Sequence, residues 1–241
     1  MKTTSRPRKL AALILASFAG QLAMASAASA AGGGLLGTGL FAPPPAPAAA
    51  APAVAATPAP PSLLQVEQKL AALGYDVGPV DGVGDDQTNS AVMAFQKVTG
   101  QPRTGVLDAV IPGQIMATSG SPAPIKPDGE PSRIEVSLAR QVLFLYEGGT
   151  LTKILAVSTG TSETPTPTGI FRVYRQDAGW HTSRLGRLHN AQYFVGGYAI
   201  HGSLSVPAQP ASHGCIRIPM TASEWFPSHV TKGMQVIVSE G

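Results

Sequence analysis

The chain has 241 residues, enough for one or two domains with hydrophobic cores, but its 27 glycines and 22 prolines are unevenly distributed. The formal net charge is +3, yet removal of the basic N-terminal segment leaves 13 basic against 14 acidic residues. That balance provides no concentrated basic face, so nucleic acid is excluded as an expected partner. The four basic residues of the N-terminal segment are Lys2, Arg6, Arg8 and Lys9.

Residues 1–30 have the features of a secretory signal peptide. An apolar run follows the basic residues, and Ala28-Ser29-Ala30 provides a small-x-small cleavage pattern, with Ala25-Ser26-Ala27 as a second candidate. The run is shorter than the roughly 20 residues that a membrane-spanning helix needs. An uncleaved anchor remains the alternative. We expect an exported protein of the periplasm or cell wall, which contacts the membrane only if this leader is retained.

Residues 31–61 are predicted to be a spacer. From residue 42 to residue 61 the chain is almost wholly alanine and proline, with eight prolines. Such a sequence favours extended polyproline geometry and cannot form a core. Twenty residues of this kind span roughly 60 Å.

A small all-α module of three helices is predicted for residues 62–117. Ser62 and Gln65 form a capping-box pattern, and apolar residues then recur at helical spacing. A second helix is expected from about residue 86 to residue 99, and a third from Asp108. A core of this size is marginal.

After a linker at residues 118–131, the apolar period changes from 3.6 to 2. Short alternating segments separated by glycine-containing turns predict a mainly β domain, a sandwich or barrel, over residues 132–240. One helix is expected at about residues 221–230 and a final strand at residues 235–239. The fold class is therefore a mainly β domain preceded by a three-helix module.

Cys215 is the only cysteine, which in an exported protein suggests either a reactive thiol or a buried structural residue. His201 and His213 stand within 14 positions of it. A histidine lowers the barrier to forming the nucleophilic thiolate. A zinc site made of these three residues is the alternative, but no second cysteine and no nearby carboxylate accompanies them. The other three histidines are interpreted as surface or groove residues: His181, His189 and His229.

These motifs resemble the signature of the YkuD-type L,D-transpeptidase domain. The resemblance extends over about residues 132–240, in which several separate segments agree in order and spacing. The matching segments are His201-Gly202, Ser212-His213-Gly214-Cys215-Ile216-Arg217, and residues 157–160, 166–171, 199–202 and 233–236.

The resemblance implies a role for each residue of the signature. Cys215 is the nucleophile, His201 is the general base, and the backbone carbonyl of Gly202 or its neighbour orients that histidine. The amides of Gly214 and Cys215 are expected to face the oxyanion. The residues expected to bind substrate are Ser212, His213 and Arg217.

In this family the thiolate attacks the carbonyl between an L-configured centre and D-Ala, and an amine resolves the thioester to give a 3→3 cross-link. No metal or organic cofactor is expected, the partners are peptidoglycan stem peptides and glycan strands, and a monomer is expected. The resemblance also implies inhibition by carbapenems. An L,D-carboxypeptidase that uses water as acceptor, and a catalytically idle wall-binding protein, are the alternatives.

The module at residues 62–117 resembles a three-helix peptidoglycan-binding domain. One position departs from the family pattern: Gly84 and Asp85 stand where an aromatic residue and a glycine are usual. This loop borders the expected glycan groove, so the departure affects the expected binding strength. The matching residues are Leu73-Gly74-Tyr75, Asp81-Gly82, Thr88, Ala91-Val92, Phe95-Gln96 and Thr104-Gly105.

Overall fold

The computed structural model describes residues 59–184 and 186–241. The predicted signal peptide and nearly all of the predicted spacer lie outside the described residues. Within the described ranges, no helix is long and apolar enough to cross a membrane.

In the part of the chain that the structure describes, three helices precede nine strands, and a fourth helix lies between the last two strands. This arrangement confirms the predicted fold class. The helices are α1 (Leu63–Ala72), α2 (Asp86–Thr99), α3 (Ile111–Ala117) and α4 (Met220–His229). The strands are β1 (Arg133–Ser137), β2 (Val142–Glu147), β3 (Thr150–Ala156), β4 (Gly169–Arg172), β5 (Arg175–Ser183), β6 (Gly186–Val195), β7 (Tyr198–Ser203), β8 (Ile216–Pro219) and β9 (Gln235–Ser239).

The helix starts follow from side chains that bind free backbone amides. Ser62 and Gln65 form the predicted capping box at α1. Asp85 caps α2 by accepting a hydrogen bond from the Thr88 amide at 2.7 Å, which gives this unusual loop residue a structural role. The predicted start of the third helix was three residues early, because Asp108 stays outside it and accepts hydrogen bonds from the first amides.

Two sheets make up the β domain. The first has the strand order β3-β2-β1-β9-β4, and the second has the order β5-β6-β7-β8. Their facing sides enclose one apolar core, to which α4 contributes Ala222 and Phe226.

The first sheet is covered on both faces. Leu143 and Leu145 of β2 point into the core between the sheets, whereas Phe144 and Tyr146 pack under the three helices. All five residues of β1 are buried as well. The alternation in the sequence therefore separates two buried faces here, rather than a buried face from a solvated one.

Backbone hydrogen bonds join the helical module to the edge strand β3. The Ile154 amide donates to the Gly74 carbonyl at 2.8 Å, and the Asp76 amide donates to the Ile154 carbonyl at 3.2 Å. From α2, the buried Lys97 ammonium donates to the Val157 carbonyl at 2.8 Å, directly after β3. The module is thus fixed to the strand that leads into residues 158–166.

Candidate active site

The register of the second sheet brings the sequence motif together. Strands β7 and β8 are parallel, with Ile200 opposite Ile216 and His201 opposite Arg217. Side chains alternate between faces along a strand, so Cys215, just before β8, lies opposite Ala199 and on the same face as His201. One face of two neighbouring strands therefore carries the thiol, the imidazole and the guanidinium.

The geometry of His201 fixes its tautomer. Its ring is buried, and Nδ1 lies 2.9 Å from the Gly202 carbonyl oxygen, which can only accept a hydrogen bond. Nδ1 therefore carries the proton, and Nε2 is left as an acceptor. Burial, reinforced by the positive charge of Arg217, lowers the pKa of His201 to about 4 although the Gly202 hydrogen bond opposes this shift. The imidazole is neutral at pH 7.

Cys215 is a free, buried cysteine. Burial raises the pKa of the thiol, whereas a hydrogen bond with the Ala199 backbone and the charge of Arg217 lower it. The net direction is upward, so the resting site holds a neutral thiol and a neutral imidazole rather than an ion pair. Arg217 contributes to both pKa values and therefore lies within electrostatic range of both groups.

The turn before Cys215 is held by its own side chain. Ser212 is buried, and its Oγ donates to the Cys215 carbonyl and accepts from the Gly214 amide at 3.0 Å. The Gly214 amide, expected to face an oxyanion, is thus engaged inside the turn. Ser212, expected to bind substrate, has its hydroxyl occupied by backbone groups.

Gly214 is required by its surroundings. Its φ is +104°, and an added Cβ would lie 2.2 Å from Cε1 of Tyr198. Any side chain at this position would therefore meet both backbone strain and a clash with the Tyr198 ring.

A threonine-rich loop supports this turn from outside the sequence motif. The Thr166 hydroxyl donates to the Gly214 carbonyl at 2.9 Å and accepts from the Gly160 amide at 2.9 Å. The Thr164 hydroxyl donates to the Ser212 carbonyl at 3.1 Å. None of these residues was expected to belong to the site. The feature of the sequence that could have indicated them is the run of threonines in residues 159–168.

The remaining histidines differ from one another. His213 is exposed beside the turn, and His181 and His229 are exposed as predicted. The surface interpretation was wrong for His189, which is buried with Nδ1 2.9 Å from the Ser223 hydroxyl. Across residues 59–184 and 186–241, no group of three or more His, Cys, Asp or Glu side chains is placed to hold a metal ion.

Comparison with known proteins confirms both resemblances. Residues 131–238 match the family described as L,D-transpeptidase catalytic domain, and residues 60–111 match a putative peptidoglycan binding domain. No curated protein matches the chain.

Solved structures similar to this chain include two bacterial L,D-transpeptidases. One, residues 123–326 of the protein from Xylanimonas cellulosilytica, has 35% identity and a TM-score of 0.68, covering 74% of this chain and 93% of its own. The other, from Stackebrandtia nassauensis, has 24% identity and a TM-score of 0.47, covering 73% of this chain and 90% of its own.

Proposed function

The chain belongs to the L,D-transpeptidase family, and we propose that Cys215 is the nucleophile of an acyl transfer between peptidoglycan stem peptides. The observation that carries this proposal is the placement of the only cysteine of the sequence on the same strand face as a neutral imidazole whose Nε2 can accept a proton. These two groups lie on one face of neighbouring strands.

Acylation begins when the donor peptide bond reaches the thiol. His201 Nε2 takes the thiol proton as Sγ attacks the carbonyl carbon between the L-centre and D-Ala. Because the thiol pKa is raised, this transfer accompanies the attack rather than preceding it. The tetrahedral intermediate collapses when His201 returns the proton to the leaving D-Ala nitrogen, and a thioester remains.

Deacylation reverses the roles. The amine of a neighbouring stem attacks the thioester, His201 accepts its proton, and the Cys215 thiol is regenerated with a 3→3 cross-link formed. We assign oxyanion stabilisation to the Cys215 amide, because the Gly214 amide is engaged by Ser212. Ser212 accordingly supports the turn, while exposed His213 and Arg217 are assigned to substrate contact.

Each segment of the chain is assigned one role. We propose that residues 62–117 bind the polymer, that residues 118–131 connect, and that residues 132–240 catalyse. Export of the protein, with residues 1–30 as signal peptide and residues 31–61 as spacer, places it beside its substrate.

The test is product analysis on disaccharide tetrapeptides. Wild type is expected to give 3→3 dimers and free D-Ala, and Cys215→Ala is expected to give neither while remaining folded by circular dichroism. A carbapenem is expected to add once, on the peptide that contains Cys215, by mass spectrometry. Tripeptide without dimer would identify a carboxypeptidase. Absence of both products and of any adduct would identify a wall-binding protein.

A further inference from the structure

A row of side chains crosses the second sheet and ends at the thiol. Arg175 of β5 lies opposite Tyr193 of β6, and Tyr193 lies opposite Ala199 of β7. Ala199 is in turn the residue opposite Cys215. Tyr193, Ala199 and Cys215 belong to one buried cluster.

The Tyr193 hydroxyl is buried without a hydrogen-bond partner of good geometry among the described residues. The side chain is 2% exposed and its polar neighbour Arg175 can only donate, so the proton of this orphan hydroxyl has no acceptor, at an appreciable free-energy cost. Burial raises the pKa of Tyr193 although Arg175 opposes the shift, so the hydroxyl keeps its proton and remains a donor. A buried hydroxyl of this kind needs an explanation, and a ligand that supplies the acceptor is one such explanation.

Arg175 adds a positive charge at the same place. Its guanidinium carbon lies 3.7 Å from the centroid of the Tyr193 ring, and one of its nitrogens pairs with Asp177 at 3.3 Å. A guanidinium has five N–H donors, so this single ion pair leaves others for a ligand. A protonated phenol beside a guanidinium matches a carboxylate.

We propose that Tyr193 and Arg175 form a subsite for the terminal carboxylate of the acyl-donor peptide, and so hold the D-amino acid that leaves. This inference rests on the proposed function. Three bonds separate the attacked carbonyl carbon from that carboxylate carbon, a span of about 4 Å. Neighbouring strands are about 4.8 Å apart and Tyr193 lies two strands from Cys215, so the donor must extend from the Cys215 sulfur across Ala199 to bring its carboxylate to the Tyr193 side chain.

Both the thiol and the phenol are buried. Cys215 is 3% exposed and Tyr193 is 2% exposed, so the donor must displace surrounding residues to reach either group.

The first sheet offers a matched control. Arg133 lies 3.8 Å from the Tyr146 ring centroid, and the Tyr146 hydroxyl is likewise buried without a partner. Tyr146 faces the helical module rather than the thiol. Tyr146→Phe thus reproduces the loss of an orphan hydroxyl beneath an arginine, away from the site.

The experiment compares two soluble tetrapeptide donors, one ending in the D-Ala carboxylate and the other in its C-terminal amide. Wild type is expected to prefer the acid. Tyr193→Phe and Arg175→Gln are each expected to lower kcat/KM for the acid by roughly ten- to hundredfold, the range for losing one partner of a charged hydrogen bond. Activity on the amide should change little, and Tyr146→Phe should leave both unchanged.

Equal losses on the acid and the amide, or no loss on either, would overturn the carboxylate assignment. A wild-type protein inactive on both donors would instead refute the proposed function. Iodoacetamide labelling of Cys215 provides a second readout: unchanged labelling rates in Tyr193→Phe separate a substrate effect from damage to the thiol.

Discussion

Burial of a neutral His201 predicts a specific loss of stability in acid. The unfolded histidine titrates near pH 6.5, whereas burial lowers the folded pKa to about 4. Between these values the unfolded state binds more protons than the folded state. The free energy of unfolding must therefore fall as the pH falls through this window, and the loss is complete below the folded pKa.

The two pKa values set the magnitude. Going from pH 7.5 to pH 4.5, the difference in proton binding amounts to about 2.5 kcal/mol at this single site. Because other groups also titrate, the change in the free energy of unfolding between the two pH values must be compared in wild type and in His201→Gln. The variant should lose about 2.5 kcal/mol less than wild type.

Urea denaturation followed by circular dichroism at both pH values measures this difference. His213→Gln is the control, because that histidine is exposed beside the turn, whereas His229 pairs with Glu147. It should behave like wild type in this comparison. If His201→Gln showed the same acid loss as wild type, the histidine would titrate alike in the folded and unfolded states. The neutral resting pair, and the concerted proton transfer built on it, would then be wrong.

Three further substitutions test the supports of the site. Gly214→Ala should cost about 1–3 kcal/mol in urea unfolding and reduce cross-linking, because it adds strain at φ +104° and a contact with Tyr198. Ser212→Ala should cost about 1–3 kcal/mol by the same assay, since the buried Gly214 amide loses its acceptor. Burial lowers the pKa of Lys97 to about 7. The free energy of unfolding of the wild type should therefore rise by about 3 kcal/mol from pH 7 to pH 10. Lys97→Met should abolish that rise. A flat wild-type profile would contradict the Lys97 pKa.

Local patterns determined much of this fold in advance. The capping box of α1 and the strand at β9 depend on neighbouring residues and a regular period, so the sequence predicts them well. The hairpin β5–β6 was not foreseen, because Arg175–Ser183 contains mostly exposed or half-buried residues without clear alternation.

Spacing and resemblance were enough to name the proposed nucleophile and its histidine, but not the residues that support them. Thr166 bonds the Gly214 carbonyl across 48 positions, and Tyr193 reaches the thiol region only through the register of three strands. The position of Gly214 beside Cys215 suggests that its amide can donate to an oxyanion. In the structure that amide already donates to the Ser212 hydroxyl. The partners of Thr166 and Tyr193 are far apart in the sequence, so composition and period cannot identify which residues they contact.

The helical module covers one face of the first sheet of the catalytic domain. Without it, Phe144, Tyr146 and Ile154 would meet water, and burial of such side chains is worth roughly 1.5–3 kcal/mol each. The module also forms one wall of a groove of about 530 Å³, opposite residues that follow His201 on β7, including Ser203 and Leu204. The helical module and the strand that carries His201 therefore share one surface, whose two sides are held together by packing.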